Sequence, residues 1–171
     1  MGPISAEVEI DVPRRRAFEA IGDLAGRPAF TDHFLTGFHL TRIESAGVGA
    51  GARFKVEAPL RSVWMDTTIV ELDEPHRIVE RGRGGRANRI PTHTVWELTE
   101  GPGSLTTVRV SHWTEPGPGD RGLEILSAGS VWQERGWREA MRRLRDGLES
   151  DAWEGGRIAV AGGNRYATGI P

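Results

Sequence analysis

The stretch SVWQERGWREAMRRLRDGLE, residues 130–149, decides the fold expected for this chain. Its apolar residues recur with the spacing of one helical stripe, whereas its arginines fall largely on the other faces. The stripe consists of Trp137, Met141, Leu144 and Leu148. A single long helix with one apolar face needs another layer to lie on, and the segments before it supply a sheet.

Those segments are typical of half-buried strands separated by tight turns. Apolar and acidic residues alternate over residues 7–12, which indicates a first strand with one solvent-exposed face. Pro13 favours a short helix over 13–23, and a second short helix is predicted around Pro28–Phe34. Six further strands are predicted near 38–45, 52–58, 62–73, 76–84, 89–99 and 104–115.

The predicted fold class is therefore α+β, with a seven-stranded curved antiparallel sheet around a long C-terminal helix and two short helices after strand 1. We expect a single domain over residues 1–149, because a chain of 171 residues fits one domain. Residues 150–171 are Gly-rich and aperiodic, and they are expected to form a loosely held tail.

Composition excludes several classes of function. With no cysteine, the chain has no disulfide, thiolate catalysis, zinc–thiolate site or Fe–S cluster. A formal net charge of −2 gives no electrostatic argument for a nucleic-acid partner. We expect a bacterial, cytoplasmic protein, because arginine greatly outnumbers lysine and because no signal peptide or membrane span is evident. His33 and His39 lack a third ligand, so we expect neither a metal nor a cofactor.

Four segments carry a resemblance to a known family: VEIDVPRRRAFEAIGD, GVGAGARFKV, IVELDEPHRIVER and THTVWELTEGPGSLTTVRVSH. Together with the closing helix, they resemble the START-like (SRPBCC) superfamily and, within it, the polyketide cyclase/dehydrase-like proteins. The resemblance covers about residues 4–149 and implies the helix-grip fold. It also implies binding of a lipid, sterol, polyketide or hormone, and in some members cyclisation or dehydration of a polyketide chain. The family has no single catalytic signature to carry over, since one fold hosts many functions.

The parity of the strands predicts which side chains face the space between sheet and helix, because successive side chains point to opposite faces. Charged residues mark the outward positions; the strand 62–73 is ambiguous, and there we favour Met65 inside and Trp64 outside. The predicted apolar lining is Phe54, Val56, Met65, Trp96, Val110, Trp137 and Met141, interrupted by the polar Thr67, Glu80, Thr94 and His112. Such a wall is typical of a small-molecule pocket, and the alternative is a filled core. The resemblance adds Phe34 as a residue at the entrance, because the second short helix often forms a lid in this fold.

Glu80 and His112 are the candidate catalytic residues. A carboxylate in an apolar cavity has a raised pKa, which a neighbouring imidazolium would lower again. Such a pair could move a proton during aldol condensation or dehydration. The alternative is structural, with His112 hydrogen-bonded to a polar core neighbour and Glu80 at the rim in water.

Three functions remain open from the sequence. The chain is a carrier or sensor of a hydrophobic small molecule (lipid, isoprenoid or aromatic polyketide), a polyketide cyclase or dehydratase, or a module that binds a partner protein. Trp64 and Trp113 are predicted to face outward, and a patch shared between them would support the third function or a homodimer.

Overall fold

The computed structural model describes residues 3–58, 61–115, 129–150, 157–159 and 166–168. The strands are β1 (Ile4–Asp11), β2 (Leu35–Leu40), β3 (Gly51–Ala58), β4 (Arg61–Asp73), β5 (Arg77–Gly84), β6 (Ile90–Glu100), β7 (Leu105–Thr114), β8 (Arg157–Ala159) and β9 (Tyr166–Thr168). The helices are α1 (Arg14–Gly22), α2 (Pro28–Thr31) and α3 (Gly129–Glu149), with a 3-10 turn at Arg86–Asn88.

Seven strands form one antiparallel sheet in the order β1-β7-β6-β5-β4-β3-β2. The helices α1 and α2 connect its two edge strands, β1 and β2, and α3 returns along the inner face to pack against β1 and α2. The predicted α+β helix-grip fold is confirmed. A curled sheet closed by one long helix places the inward side chains of β3–β7 opposite α3.

The apolar stripe of α3 is buried as its spacing predicts. Trp137, the most exposed of the four stripe residues, is only 5% exposed. Polar contacts hold the helix to its neighbours: the Asp11 backbone N–H donates to Glu149 at 2.9 Å, Nη1 of Arg143 donates to Asp32 at 2.6 Å, and the Gly136 carbonyl lies 3.0 Å from Nε2 of His33. The helix is therefore held to β1 at its C-terminal end and to the α2 region near its middle.

The predicted boundaries of the second strand are wrong. The sequence predicts it near 38–45, whereas β2 is Leu35–Leu40 and its pairing with β3 shifts register between Thr36 and His39. Gly37 lies between those residues with a φ of 57°, a conformation that glycine adopts without strain. Gly37 therefore lies in a bulge inside the strand.

Two short strands lie within the C-terminal segment. Where the sequence shows no periodicity, β8 and β9 pair as a short antiparallel ladder in which Ile158 lies opposite Ala167. The rest of the predicted tail, apart from Ser150, lies outside the described residues.

The inward parity predicted from the charges agrees with the observed burial. Every predicted lining residue is buried except Phe54, which is partly buried and packs against the core. The bulge in β4 falls between Ile69 and Glu71, beyond Met65 and Thr67, so it leaves their orientation unchanged. Trp64 lies on the other face and is 42% exposed.

Candidate functional site

Aromatic rings line the space between α3 and the middle of the sheet. Trp96 of β6 is fully buried, and it meets the rings of Trp137 and Phe30 edge-on at centroid distances of 5.6 and 6.3 Å. Trp137 in turn contacts Phe34 at 5.3 Å and His112 at 6.1 Å. Edge-to-face contacts of this kind fix the rings relative to one another. Rings from the sheet, the α2 region and α3 therefore form one connected wall.

Glu80 is the most deeply buried carboxylate in the described part of the chain, at 2% exposure. Its Oε1 accepts hydrogen bonds from Nη2 of Arg27 and Nε1 of Trp96, both at 2.8 Å. Its Oε2 accepts from the Thr67 hydroxyl at 2.9 Å. Three donors, one of them a cation, compensate the loss of hydration of this carboxylate. Glu80 is therefore held as a buried acceptor, and the alternative that placed it at a wet rim is wrong.

Arg27, which the sequence pattern did not predict for the site, is the counter-charge of Glu80. It is 3% exposed, and its Nη2 also donates to the Ile21 carbonyl at 3.0 Å. The guanidinium lies 4.9 Å from the Trp96 ring centroid and 6.0 Å from that of Phe30. Its Nε is buried and has no hydrogen-bond partner among the described residues.

A sequence signal for Arg27 exists. It is the only charged residue in LAGRPAFT, residues 24–31, where the other side chains are mostly small or apolar. A charged residue in such a run, followed by a helix-starting proline, is a candidate for burial with a partner. Parity does not apply to a loop, so the charge pattern of the strands gave no information about this residue.

His112 is buried in a different hydrogen-bond network. Its Nδ1 lies 2.9 Å from the Thr94 hydroxyl. Burial lowers the pKa of His112 to about 4, although the negative charge of Glu80 acts in the opposite direction. His112 is therefore neutral near pH 7, and the expected imidazolium beside Glu80 is not formed.

The two candidate catalytic residues share one row of the sheet but not one hydrogen bond. Glu80 lies opposite Thr94 in the β5–β6 pairing, and Thr94 lies opposite His112 in the β6–β7 pairing. Thr94 therefore stands between them, bonded to His112, while Glu80 is bonded to Arg27, Thr67 and Trp96. The sequence correctly placed the two groups on one inner face, but it did not predict that each has its own partners.

The remaining predicted lining residues lie on both sides of this row. Val56, Met65, Val110 and Met141 are buried in the same apolar cluster, and Phe54 stacks on Phe38 with ring centroids 5.4 Å apart. Phe34, expected at an entrance, is buried beneath α3, with its ring against Trp137. It therefore belongs to the wall of rings in this structure.

The outer face of the sheet carries two separate tryptophans. Trp64 packs under the Arg53 guanidinium, 5.4 Å from its ring centroid, and Trp113 stacks on His93 at 5.3 Å. Their strands, β4 and β7, are separated by β5 and β6, which corresponds to three strand spacings, or roughly 14 Å. The two rings therefore do not form the shared patch that would have supported a partner-binding module or a homodimer.

The described residues contain neither a membrane-spanning helix nor a metal cluster. None of their helices is long and apolar enough to cross a membrane. Within the same ranges, no group of three or more histidine, aspartate or glutamate side chains could hold a metal ion.

A curled seven-stranded sheet that grips a long helix over an aromatic inner wall defines a START-like, helix-grip domain. The chain belongs to the polyketide cyclase/dehydrase and lipid transport family, whose model matches residues 1–149. No curated protein matches the chain.

Solved structures share the fold at low sequence identity. The KanY protein, determined in solution, is 18% identical with a TM-score of 0.69, over 87% of this chain and 99% of its own. The Zhui aromatase/cyclase from Streptomyces sp. R1128 is 15% identical with a TM-score of 0.67, over 88% of this chain and 94% of its own. A START superfamily protein from Mycobacterium smegmatis is 15% identical with a TM-score of 0.58, over 84% and 99%. Likenesses at this level of identity establish the fold alone.

Proposed function

We propose that this chain binds a hydrophobic small molecule, such as a lipid, isoprenoid or aromatic polyketide, between α3 and the inner face of the sheet. The observation that carries the proposal is the composition of that face, where apolar and aromatic side chains surround a small number of fixed polar groups. Ligand sites in proteins have this composition, with the polar groups setting orientation. The family description, which names lipid transport beside polyketide cyclisation, supports the same class of ligand.

Catalysis by Glu80 and His112 receives less support. A general base works best when its pKa lies near the working pH, whereas the pKa of His112 is lowered to about 4. Glu80 already accepts three hydrogen bonds and is paired with Arg27. If the chain is a cyclase, Glu80→Gln and His112→Ala should each abolish turnover of a poly-β-ketone, and retained activity in both would exclude the pair.

Thermal unfolding of the protein in the presence of each member of a ligand panel tests the binding function. A ligand present at 100 times its Kd raises the free energy of unfolding by about 2.7 kcal/mol, which shifts the thermal transition measurably. The panel comprises fatty acids, isoprenoid alcohols and polycyclic phenols. Mass spectrometry of the freshly purified protein, with and without organic extraction, would identify a ligand that co-purifies.

A matched pair of variants separates binding inside the domain from adsorption to its surface. Val110→Phe adds a ring on the inner face of β7, and Val95→Phe adds the same ring on the outer face of β6. We expect Val110→Phe to lower the affinity for every ligand found in the panel. Val95→Phe should leave these affinities unchanged. Equal weakening in both variants would contradict the proposed site. If no member of the panel stabilises the wild type and nothing co-purifies, the inner face is a filled core.

A further inference from the structure

An unpaired donor lies within the inner wall. The guanidinium of Arg27 uses one nitrogen, Nη2, for both Glu80 and the Ile21 carbonyl, at 2.8 and 3.0 Å. Arginine commonly meets a carboxylate with two nitrogens, and here the contact is one-sided. The adjacent Nε is buried without a hydrogen-bond partner among the described residues. Buried polar groups are almost always paired, so an unpaired one on a charged side chain calls for a specific partner.

The position of this donor distinguishes it from the other unpaired buried nitrogens in the described residues, which belong to Arg14 and His33. Arg14 lies on α1 and reaches outward, where it pairs with the exposed Glu100 at 3.1 Å. His33 lies between α2 and α3, with its other nitrogen on the Gly136 carbonyl and its ring 4.8 Å from that of Phe34. The Arg27 donor differs from both because it belongs to a guanidinium that is paired with Glu80 and lies against Trp96 and Phe30.

The charges around this donor restrict what it can accept. Arg27 and Glu80 are an ion pair with side chains 4% and 2% exposed, so together they add no net charge to the interior. His112, in the same row of the sheet, is neutral near pH 7. A ligand carboxylate would be repelled by Glu80, which already neutralises the Arg27 cation, and it would lose its hydration without gaining a counter-charge of its own. An uncharged oxygen acceptor meets no such repulsion.

We propose that Nε of Arg27 is the hydrogen-bond donor for an uncharged carbonyl oxygen of the ligand, so that the site selects neutral hydrophobic ketones or esters over carboxylic acids. This inference rests on the proposed function, because it requires that a small molecule reaches the inner wall. Thr67 and Trp96 fix the Glu80 carboxylate by hydrogen bonds, and Glu80 in turn holds the guanidinium by its Nη2, so these three act as positioning residues that leave Nε unpaired.

Three naphthalene probes test the selection, since they share one ring system and differ only in the substituent. They are 2-ethylnaphthalene, 2-acetonaphthone and 2-naphthoate, which carry no acceptor, a neutral carbonyl and a carboxylate, respectively. In calorimetric titrations of the wild type at neutral pH, we expect the ketone to bind about tenfold more tightly than the hydrocarbon and the naphthoate most weakly. Naphthoate binding as tightly as the ketone, or a ketone no tighter than the hydrocarbon, overturns the inference.

Variants assign the preference to Arg27. The double variant Arg27→Met with Glu80→Gln removes both charges together, so that no buried charge is left unpaired. Arg27→Lys keeps the charge and removes the Nε donor, which provides a second test if the double variant does not fold. In either variant the affinity for the ketone should fall to that for the hydrocarbon, and Arg14→Met should retain the wild-type pattern.

The outcomes separate the two proposals. If the wild type binds the hydrocarbon but the ketone preference is absent, or survives in both Arg27 variants, the donor role is wrong and ligand binding stands. If none of the three probes binds the wild type although a member of the ligand panel does, the donor role is wrong and ligand binding stands. If neither the probes nor the panel bind and nothing co-purifies, the donor role and the binding function are both wrong.

Discussion

The inner and outer faces of the sheet hold their carboxylates in contrasting ways. On the inner face, Glu80 is buried and receives hydrogen bonds from Arg27, Thr67 and Trp96. On the outer face, Glu7 receives one from Nε of Arg109 at 2.7 Å, and about half of each side chain remains exposed. Both are arginine–carboxylate pairs. Only in the inner pair is the carboxylate removed from solvent, so that protein donors replace its hydration.

This contrast shows that the energetic role of an ion pair depends on its surroundings more than on its distance. A buried pair costs desolvation energy that its own attraction barely offsets, so the loss of one partner is far more damaging than the pair is stabilising. An exposed pair is screened and rehydrated when it breaks. The inner network is therefore expected to be fragile toward single changes and the outer one tolerant.

Replacing Arg27 with Met should have the largest effect on stability. It would leave Glu80 as an unpaired charge at 2% exposure, which costs about 3–5 kcal/mol of the free energy of unfolding. Urea unfolding at neutral pH measures the loss. The double variant Arg27→Met with Glu80→Gln should recover much of it, because no charge remains to be compensated. A single variant within about 1 kcal/mol of wild type would show that Glu80 is not sequestered from water.

The second test is the pH dependence of His112 on the same inner face. Burial lowers its pKa from the ordinary 6.5 to about 4, so between these pH values the unfolded chain binds a proton here that the folded chain does not. The contribution of neutral His112 to the free energy of unfolding is therefore fully present above pH 6.5. It is lost as the pH falls towards 4, by on the order of 3 kcal/mol.

The variant His112→Gln isolates this contribution, because glutamine does not titrate. Urea unfolding across the acidic range should show a shallower loss of stability in the variant than in wild type. Parallel curves for the two proteins would mean that the pKa of His112 is the same in the folded and the unfolded chain.

The position of the inner face could be predicted from the sequence because outward charges fix the parity of a strand. In the predicted strand 104–115, the charged Arg109 and Glu115 indicate the outer face, and Val110 and His112 are inside and buried. The long helix was predictable for a similar reason, because its single apolar stripe must be buried against the sheet.

The network around Glu80 could not be predicted in the same way. Arg27 and Glu80 are 53 residues apart, and Arg27 lies in a loop where no periodicity fixes the direction of a side chain. The strand β2 was misplaced because Gly37 could equally end a helix or form a bulge, and only its pairing with β3 decides between them. Local patterns determined elements and faces, whereas contacts between distant loops and strands required the fold.

The third test asks whether a substitution in the apolar part of the interior lowers stability as much as one in its polar part. Gly136 of α3 faces Phe34, and a Cβ atom at this position would lie 2.7 Å from the phenyl ring. We expect Gly136→Ala to lose about 1–3 kcal/mol through overpacking, offset in part by the better helix propensity of alanine. Thermal unfolding of Gly136→Ala with and without Phe34→Leu checks the cause, because the smaller side chain should relieve the clash. Unchanged or raised stability in the single variant would show that the ring moves aside without cost.

The smallest effect is expected on the outer face, where Arg109 and Glu7 should each tolerate replacement. Arg109→Met and Glu7→Gln are each predicted to change the free energy of unfolding by less than about 1 kcal/mol, and their coupling should vanish at high salt. A double-mutant cycle at low and high salt, measured by urea unfolding, gives that coupling directly. A coupling as large as the loss predicted for Arg27→Met would mean that burial does not explain the difference between the two faces. A small, salt-sensitive coupling would leave desolvation as the reason that one sheet holds both a fragile and a tolerant ion pair.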